Sequence, residues 1–236
     1  MTKDQTRETP NQSLVASPKV DEAMSALMTE ARLAARWSDL SPDVRAAHHR
    51  ILRAYIADGA PPNISEFSTE IRGELSRRDL VHIRDGKIAL AYPFSTAVTD
   101  FAVRAAGVEM HAICAIDALG VAAMIQHETK VTCLCPVCRA PMALTIAADG
   151  LTMTNVTDPT ARVWTGVMEV GSCAADSQCT SMRMFCSPEH LEVWRSDRPG
   201  MRGFDLTLEE GVQLGAEIFR AFLREPAEPG PEAVDT

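Results

Sequence analysis

Residues 111–120 of the 236-residue chain read His-Ala-Ile-Cys-Ala-Ile-Asp-Ala-Leu-Gly, an apolar stretch that holds one thiol and one carboxylate. If this stretch opens a helix, Cys114 and Asp117 lie on one face, close enough to act on the same atom. A cysteine in the first turn also meets the positive end of the helix dipole, which is expected to lower its pKa. Taken alone, the spacing fits a buried cysteine beside a helix-capping aspartate better, because free cysteines usually behave as small apolar residues.

The composition favours a globular protein that does not act through a basic surface. Hydrophobic residues make up 46% of the chain, and the formal net charge is −9. Such an acidic chain lacks the basic surface that nonspecific nucleic-acid binding requires. No apolar run is long enough to cross a bilayer, and the first residues lack the pattern of a signal peptide. We therefore expect a cytoplasmic protein with reduced thiols and no membrane partner.

The cysteines are confined to the second half of the chain. All seven follow residue 113, at positions 114, 133, 135, 138, 173, 179 and 186. In a reducing compartment they are expected to be reactive, metal-binding or buried rather than disulfide-bonded. Their distribution predicts two modules, with thiol chemistry in the second.

The first module has the pattern of a winged helix. Residues 1–19 are polar and predicted to be disordered, and an apolar helical pattern follows them. Ser41-Pro42-Asp43 starts a second helix, and Asn63–Arg77 is predicted to form a third behind a capping box. Asp85-Gly86 between two apolar runs predicts a hairpin. The third helix mixes acidic and basic side chains, so we favour a structural or lid-forming winged-helix-like domain over residues 20–95, with no DNA partner.

The second module is predicted to be a mixed or antiparallel sheet flanked by helices, over residues 96–225, which makes the whole chain α+β. A hairpin is expected to turn at Gly107, and further strands are expected at Lys130–Cys133, Met142–Ile146, Val163–Met168 and Met182–Phe185. Ser187-Pro188 and Thr207 have the pattern of helix starts. Residues 226–236 are acidic, rich in proline and expected to be disordered.

Cys133, Cys135 and Cys138 form a dense group whose CxxC spacing can supply half of a tetrahedral zinc site. Cys186 and His190, four residues apart at a predicted helix start, are candidates for the other half. Because no second CxxC exists, buried or incidental cysteines are the preferred interpretation. A structural zinc site and a set of thiols that shuttles soft metal ions are the alternatives.

Cys179 precedes the last predicted strand of the module. With Cys114 and Asp117 it could close around a soft metal ion and leave room for a substrate group. The histidines form no metal-binding motif, and His111 and His190 are expected to make ordinary polar contacts.

These residues resemble the organomercurial lyase (alkylmercury lyase) family over about residues 45–225. The most specific match is the segment Cys114-Ala115-Ile116-Asp117-Ala118-Leu119. The other matching features are Tyr92-Pro93-Phe94-Ser95, the Pro141–Ile146 strand, Cys179, Met184-Phe185, the Trp194 helix and the Gly211–Phe219 helix. The resemblance implies a winged-helix-like N-terminal part and an α+β catalytic part.

The resemblance also implies an activity. It implies protonolysis of carbon–mercury bonds in mercury detoxification, with an organomercurial substrate and no required cofactor. Cys114, Asp117 and Cys179 are expected to be catalytic and to hold the Hg(II) product. Small cellular thiols or a mercuric reductase are expected to remove that ion.

Two features depart from the family pattern. The segment before Cys179 differs from it and contains a competing thiol, Cys173. The group at Cys133, Cys135 and Cys138 is richer in thiols than the pattern, and these residues are candidate metal ligands. A metal-responsive winged-helix regulator that uses them, or a relative that binds metal without catalysis, therefore remains an alternative.

Overall fold

The computed structural model describes residues 17–28, 36, 39–168 and 174–224, and these form an α+β protein, as predicted. The α-helices within these ranges are α1 (Pro18–Met28), α2 (Pro42–Asp58), α3 (Thr69–Arg77), α4 (Ala115–Ile125), α5 (Pro188–Ser196) and α6 (Leu208–Phe219). Helix α1 begins at Pro18, inside the segment expected to be disordered. Residues 1–16 and 226–236 lie outside the described residues.

The larger sheet is antiparallel throughout, with strand order β1-β2-β3-β5-β4-β6-β7-β8. Its strands are β1 (Val81–Arg84), β2 (Lys87–Ala91), β3 (Phe94–Ser95), β4 (Phe101–Ala105), β5 (Val108–Ala112), β6 (Thr129–Leu134), β7 (Pro141–Ile146) and β8 (Met153–Thr154). The predicted hairpins at Asp85-Gly86 and Gly107 are confirmed. Their turn residues have positive φ, as tight hairpin turns require. Strand β3 pairs with both β2 and β5, so the first hairpin is continuous with the sheet of the second half.

A smaller antiparallel sheet carries the second half of the candidate site. Its strands are β9 (Arg162–Gly166), β10 (Met182–Phe185) and β11 (Gly203–Thr207), in the order β10-β9-β11. The prediction of β10 is confirmed residue for residue. Strand β11 was not predicted, because its glycine and aspartate weaken the strand pattern.

Helix α4 lies at the centre of the molecule. Every residue from Ala115 to Met124 is buried, as expected for a helix that is apolar on all sides. It packs on β4, β5 and β6 of the larger sheet, on β10 of the smaller sheet and on α6. A Cβ atom added at Gly120 would lie only 2.6 Å from the carbonyl oxygen of Gly215, so these glycines permit the close approach of α4 and α6. No helix in the described part of the chain is long and apolar enough to span a membrane.

The prediction of one helix over Asn63–Arg77 is wrong, because two N-caps divide the segment. Asn63 forms the expected capping box with Glu66, but the box opens only a 3₁₀ turn. Phe67 is then extended, with φ −106° and ψ 145°. Ser68 accepts a hydrogen bond from the amide of Ile71 and starts α3. The second cap therefore sets the start of the helix.

Candidate active site

Cys114 is the N-cap of α4. Its backbone is extended, with φ −145° and ψ 179°, and its sulfur accepts a hydrogen bond from the Asp117 amide at 3.5 Å. The cysteine therefore caps the helix, and the expectation that the aspartate is the cap is wrong. The usual N-cap residues are serine, threonine, aspartate and asparagine, which accept through an oxygen atom. The sulfur at this position is a weaker acceptor.

The structure brings Cys114, Asp117 and Cys179 together. Their two sulfurs and a carboxylate oxygen all lie within 4.8 Å of one another, and the Cys179 sulfur is 3.9 Å from the Asp117 carboxylate. All three residues are buried. Since thiolate–metal bonds are about 2.3 Å long, one soft metal ion placed between the sulfurs can reach both.

A 3₁₀ turn, Gln178–Ser181, positions Cys179 just before β10. The Gln178 side chain donates to the carbonyl of Gly166 and accepts from the amide of Met168 at 3.0 Å. The Ser181 hydroxyl donates to the Gln178 carbonyl at 2.7 Å. The two Gln178 bonds tie the turn to the end of β9 and the Ser181 bond closes the turn itself, so the second thiol has a defined place although it lies outside regular helix or strand.

Two residues from the first half of the chain hold the segment that precedes Cys179. The Ala174 amide donates to the Asp79 carboxylate at 3.2 Å, and the Ala175 amide donates to the Tyr92 hydroxyl at 2.7 Å. Arg36 forms an ion pair with Asp79 and lies over the Tyr92 ring, 4.3 Å from its centroid. Residue spacing carries no signal for Arg36 or Asp79, because their partners are distant in the chain.

A small, mostly apolar cavity of about 60 Å³ adjoins the three-residue site. Asp117 and Cys179 line it together with Tyr92, Met182 and Ile218. The sulfur of Cys114 lies 3.5 Å from the sulfur of Met182. The cavity has room for a few water-sized groups, which suits a metal ion carrying a small apolar substituent.

Burial dominates the electrostatics of the site. It raises the pKa of Asp117 to about 7, against the lowering effect of hydrogen bonds from Cys114 and of the Arg36 charge. Burial also raises the pKa of Cys114 well above its usual range. The expectation of a lowered pKa at this thiol is therefore wrong, because desolvation outweighs the hydrogen bond that the Asp117 amide donates. At Cys179 the hydrogen bond with Cys114 acts to lower the pKa, but burial and Asp117 outweigh it and raise the pKa.

A second group of possible metal ligands lies apart from this site. Cys135, Cys138, Cys186 and His190 each place a ligand atom within 4.8 Å of the others. Cys133 is buried on β6 and belongs to neither group of the described residues. Its spacing groups it with Cys135 and Cys138, but Cys133 lies within β6, whereas Cys135 and Cys138 lie in the connection between β6 and β7.

The two histidines differ in their surroundings. The ring of His111 accepts from the Thr99 amide at 3.5 Å, which confirms the expected polar contact. The ring of His190 instead lies among thiols, with Nδ1 3.0 Å from the sulfur of Cys186. Cys173, the competing thiol of the sequence analysis, lies outside the described residues.

The fold and the three-residue site define a class of protein: an α+β protein with two buried thiols and a carboxylate whose ligand atoms lie close enough to share one metal ion. A family model described as alkylmercury lyase matches residues 94–220, which is more than half of the chain. The chain belongs to the alkylmercury lyase family.

Several solved structures share the fold of the chain, and one of them is a mercury-bound protein. It is described as the mercury-bound form of MerB2 and superposes with a TM-score of 0.68, at 21% sequence identity. The match covers 82% of this chain and 98% of the other. No curated protein matches the chain significantly.

Proposed function

We propose that this protein is an organomercurial lyase that breaks carbon–mercury bonds by protonolysis, gives a hydrocarbon and Hg(II), and serves mercury detoxification. The observation that carries the proposal is the meeting of Cys114, Cys179 and Asp117 within 4.8 Å beside an apolar cavity. Mercury is a soft metal that seeks thiolates, and a leaving carbanion needs a proton. The three side chains supply both requirements, and membership of the alkylmercury lyase family supports the same reaction.

The first step is ligand exchange at mercury. The substrate enters as R–Hg–X, where X is a thiolate. The sulfur of Cys114 forms a bond to mercury, the bond between mercury and X breaks, and X leaves with the proton of the Cys114 thiol. Cleavage of the carbon–mercury bond then takes place with the metal already bound to the protein.

The second step uses Cys179 and Asp117 together. Cys179 bonds to mercury as a second thiolate, and its proton passes to the Asp117 carboxylate, 3.9 Å from its sulfur. The carbon–mercury bond breaks with its electron pair on carbon, and Asp117 returns the proton to that carbon as R–H. A carboxyl group with a pKa of about 7 can both take and give this proton near neutral pH. The reaction needs no organic cofactor.

The product Hg(II) is held by Cys114 and Cys179, with the Asp117 carboxylate beside it. Small cellular thiols or a mercuric reductase then remove it by thiol exchange. This exchange suits the cytoplasm, where thiols are reduced. Within the chain, we assign catalysis to residues 96–225 and a winged-helix-like supporting role to residues 20–95.

The test is product formation by the purified full-length protein. With excess small thiol and an organomercurial such as phenylmercury, the protein is expected to release benzene over many turnovers. Cys114→Ser is expected to release none, and Cys133→Ser, which changes a buried thiol outside the site, is expected to stay active. Benzene release by the unchanged protein at the level of Cys114→Ser would refute the proposal.

A further inference from the structure

The second group of ligand atoms has the dimensions of a metal site. The Cys138 and Cys186 sulfurs are 3.6 Å apart, and the Cys135 sulfur is 3.6 Å from Nδ1 of His190. A tetrahedral zinc with bonds of about 2.3 Å to sulfur and about 2.0 Å to nitrogen requires sulfur–sulfur edges of about 3.8 Å and sulfur–nitrogen edges of about 3.6 Å. Both measured edges lie close to these values. The third measured edge, 3.0 Å between the Cys186 sulfur and Nδ1 of His190, is about 0.6 Å shorter than required.

The first half of this site is a turn that contains Cys135. The Cys135 amide donates to the Ala140 carbonyl at 3.0 Å, and the Arg139 amide donates back to the Cys135 carbonyl at 2.9 Å. Arg139 has a φ of 61°, a left-handed conformation that closes the turn. Backbone amides of Val137 and Cys138 lie within hydrogen-bonding reach of the Cys135 sulfur. The turn therefore gives the Cys135 sulfur a defined place.

The second half is the junction between β10 and α5. Ser187 caps α5 by accepting from the His190 amide at 3.4 Å, and Pro188 occupies the first helical turn. This start places His190 in the first turn, with its ring turned back toward Cys186. The backbone amide of Cys186 also lies within hydrogen-bonding reach of the Cys135 sulfur, so the two halves already interact.

We propose that Cys135, Cys138, Cys186 and His190 bind a structural Zn²⁺ ion in this protein. Three thiols and one imidazole are the donor set that favours zinc, with tetrahedral geometry. All four positions are filled by the chain, which leaves none for a substrate and marks the site as structural rather than catalytic. The proposal does not depend on the organomercurial reaction.

The zinc ion would join the two sheets. Cys135 and Cys138 lie in the connection between β6 and β7 of the larger sheet, and Cys186 follows β10 of the smaller sheet. Strand β10 begins at Met182, whose sulfur is 3.5 Å from that of Cys114. The zinc site therefore fixes one end of a strand whose other end packs against the first thiol of the candidate active site.

The test is the metal content of the full-length protein, purified from zinc-supplemented medium without a chelator. We expect about one zinc per chain, as one four-ligand site requires. Cys138→Ser and Cys186→Ser are expected to lose the bound zinc. Cys133→Ser and Cys114→Ser, which change thiols outside the cluster, are expected to keep it. Cys138 is exposed, so its replacement leaves the buried core unchanged.

A second measurement uses the unchanged protein, so that the test does not depend on whether the variants fold. The unchanged protein is stripped of metal under reducing conditions and titrated with Co²⁺. This ion can replace Zn²⁺ in the site, and its binding is followed by light absorption. A sulfur-to-cobalt charge-transfer band that saturates at one equivalent is expected, and added Zn²⁺ should abolish it. A protein that holds no zinc as purified and shows no such band would overturn the proposal, as would full zinc retention in Cys186→Ser.

Discussion

The sulfur of Cys179 lies 3.9 Å from the carboxylate of Asp117, although 62 residues of sequence separate the two. The same aspartate donates its backbone amide to the sulfur of Cys114. One residue thus touches both thiols, through its amide on one side and its carboxylate on the other. This arrangement lets a proton from the second thiol reach the position where a carbon bound to mercury would be released.

Replacing Asp117 by asparagine separates binding from cleavage. Asparagine fills the same space but carries no exchangeable acid proton of suitable pKa. Both thiols remain, so the variant is expected to bind an organomercurial, while cleavage slows by about 10² to 10⁴, the usual contribution of a general acid. Mass spectrometry of the protein adduct reports binding, and hydrocarbon release in a single turnover reports cleavage. A cleavage rate equal to that of the unchanged protein would remove Asp117 from the reaction.

The stability of the protein should depend on pH through Asp117. Its pKa is raised from 3.8 to about 7 in the folded protein. The folded state thus binds the proton more tightly, and the resulting stability is fully present below about pH 4 and lost as pH rises through about 7. The loss is on the order of 4 kcal/mol. Urea unfolding of the unchanged protein and Asp117→Asn at several pH values measures it, and parallel stability curves for the two proteins would contradict the assignment.

The contact between α4 and α6 should not tolerate a methyl group. A Cβ atom at Gly120 would lie 2.4 Å from the Phe219 ring and 2.6 Å from the Gly215 carbonyl. Gly120→Ala is therefore expected to destabilise the protein by about 1–3 kcal/mol or more. The control is Gly73→Ala on the exposed side of α3, where nothing lies within 4 Å. That change should stabilise by about 0.5–1 kcal/mol, since alanine favours helix. Equal effects in thermal unfolding would contradict the packing described.

Tyr92 should act as a positioning residue for the second thiol. Tyr92→Phe removes the acceptor of the Ala175 amide and loosens the segment that leads to Cys179. We expect slower cleavage with unchanged binding of the organomercurial at Cys114. The control is Tyr55→Phe, because the buried Tyr55 hydroxyl has no hydrogen-bond partner among the residues described. If both variants cleave at the rate of the unchanged protein, the Tyr92 contact has no part in positioning.

Local sequence signals predicted the elements that depend on short-range chemistry. The capping boxes at Asn63 and Thr207, the turn at Asp85-Gly86 and the strand β10 all follow from residues a few positions apart. The three-residue spacing of Cys114 and Asp117 likewise placed them at one helix start. These features need no knowledge of the rest of the chain.

The features that could not be predicted from the sequence depend on long-range contacts. The Cys114 thiol is less acidic than expected because α4 is buried on all sides, which a local pattern cannot show. Asp79 and Arg36 support the segment before Cys179 through contacts across much of the chain. The four-ligand cluster forms because the β6–β7 connection meets the end of β10, which again is tertiary.

Whether Cys114, Cys179 and Asp117 act on one mercury atom is decided by a single turnover in D₂O with phenylmercury in slight deficit over protein. We expect monodeuterated benzene from the unchanged protein in an amount matching the substrate, with none from Cys114→Ser or Cys179→Ser. Undiminished deuterated benzene from either serine variant would contradict it.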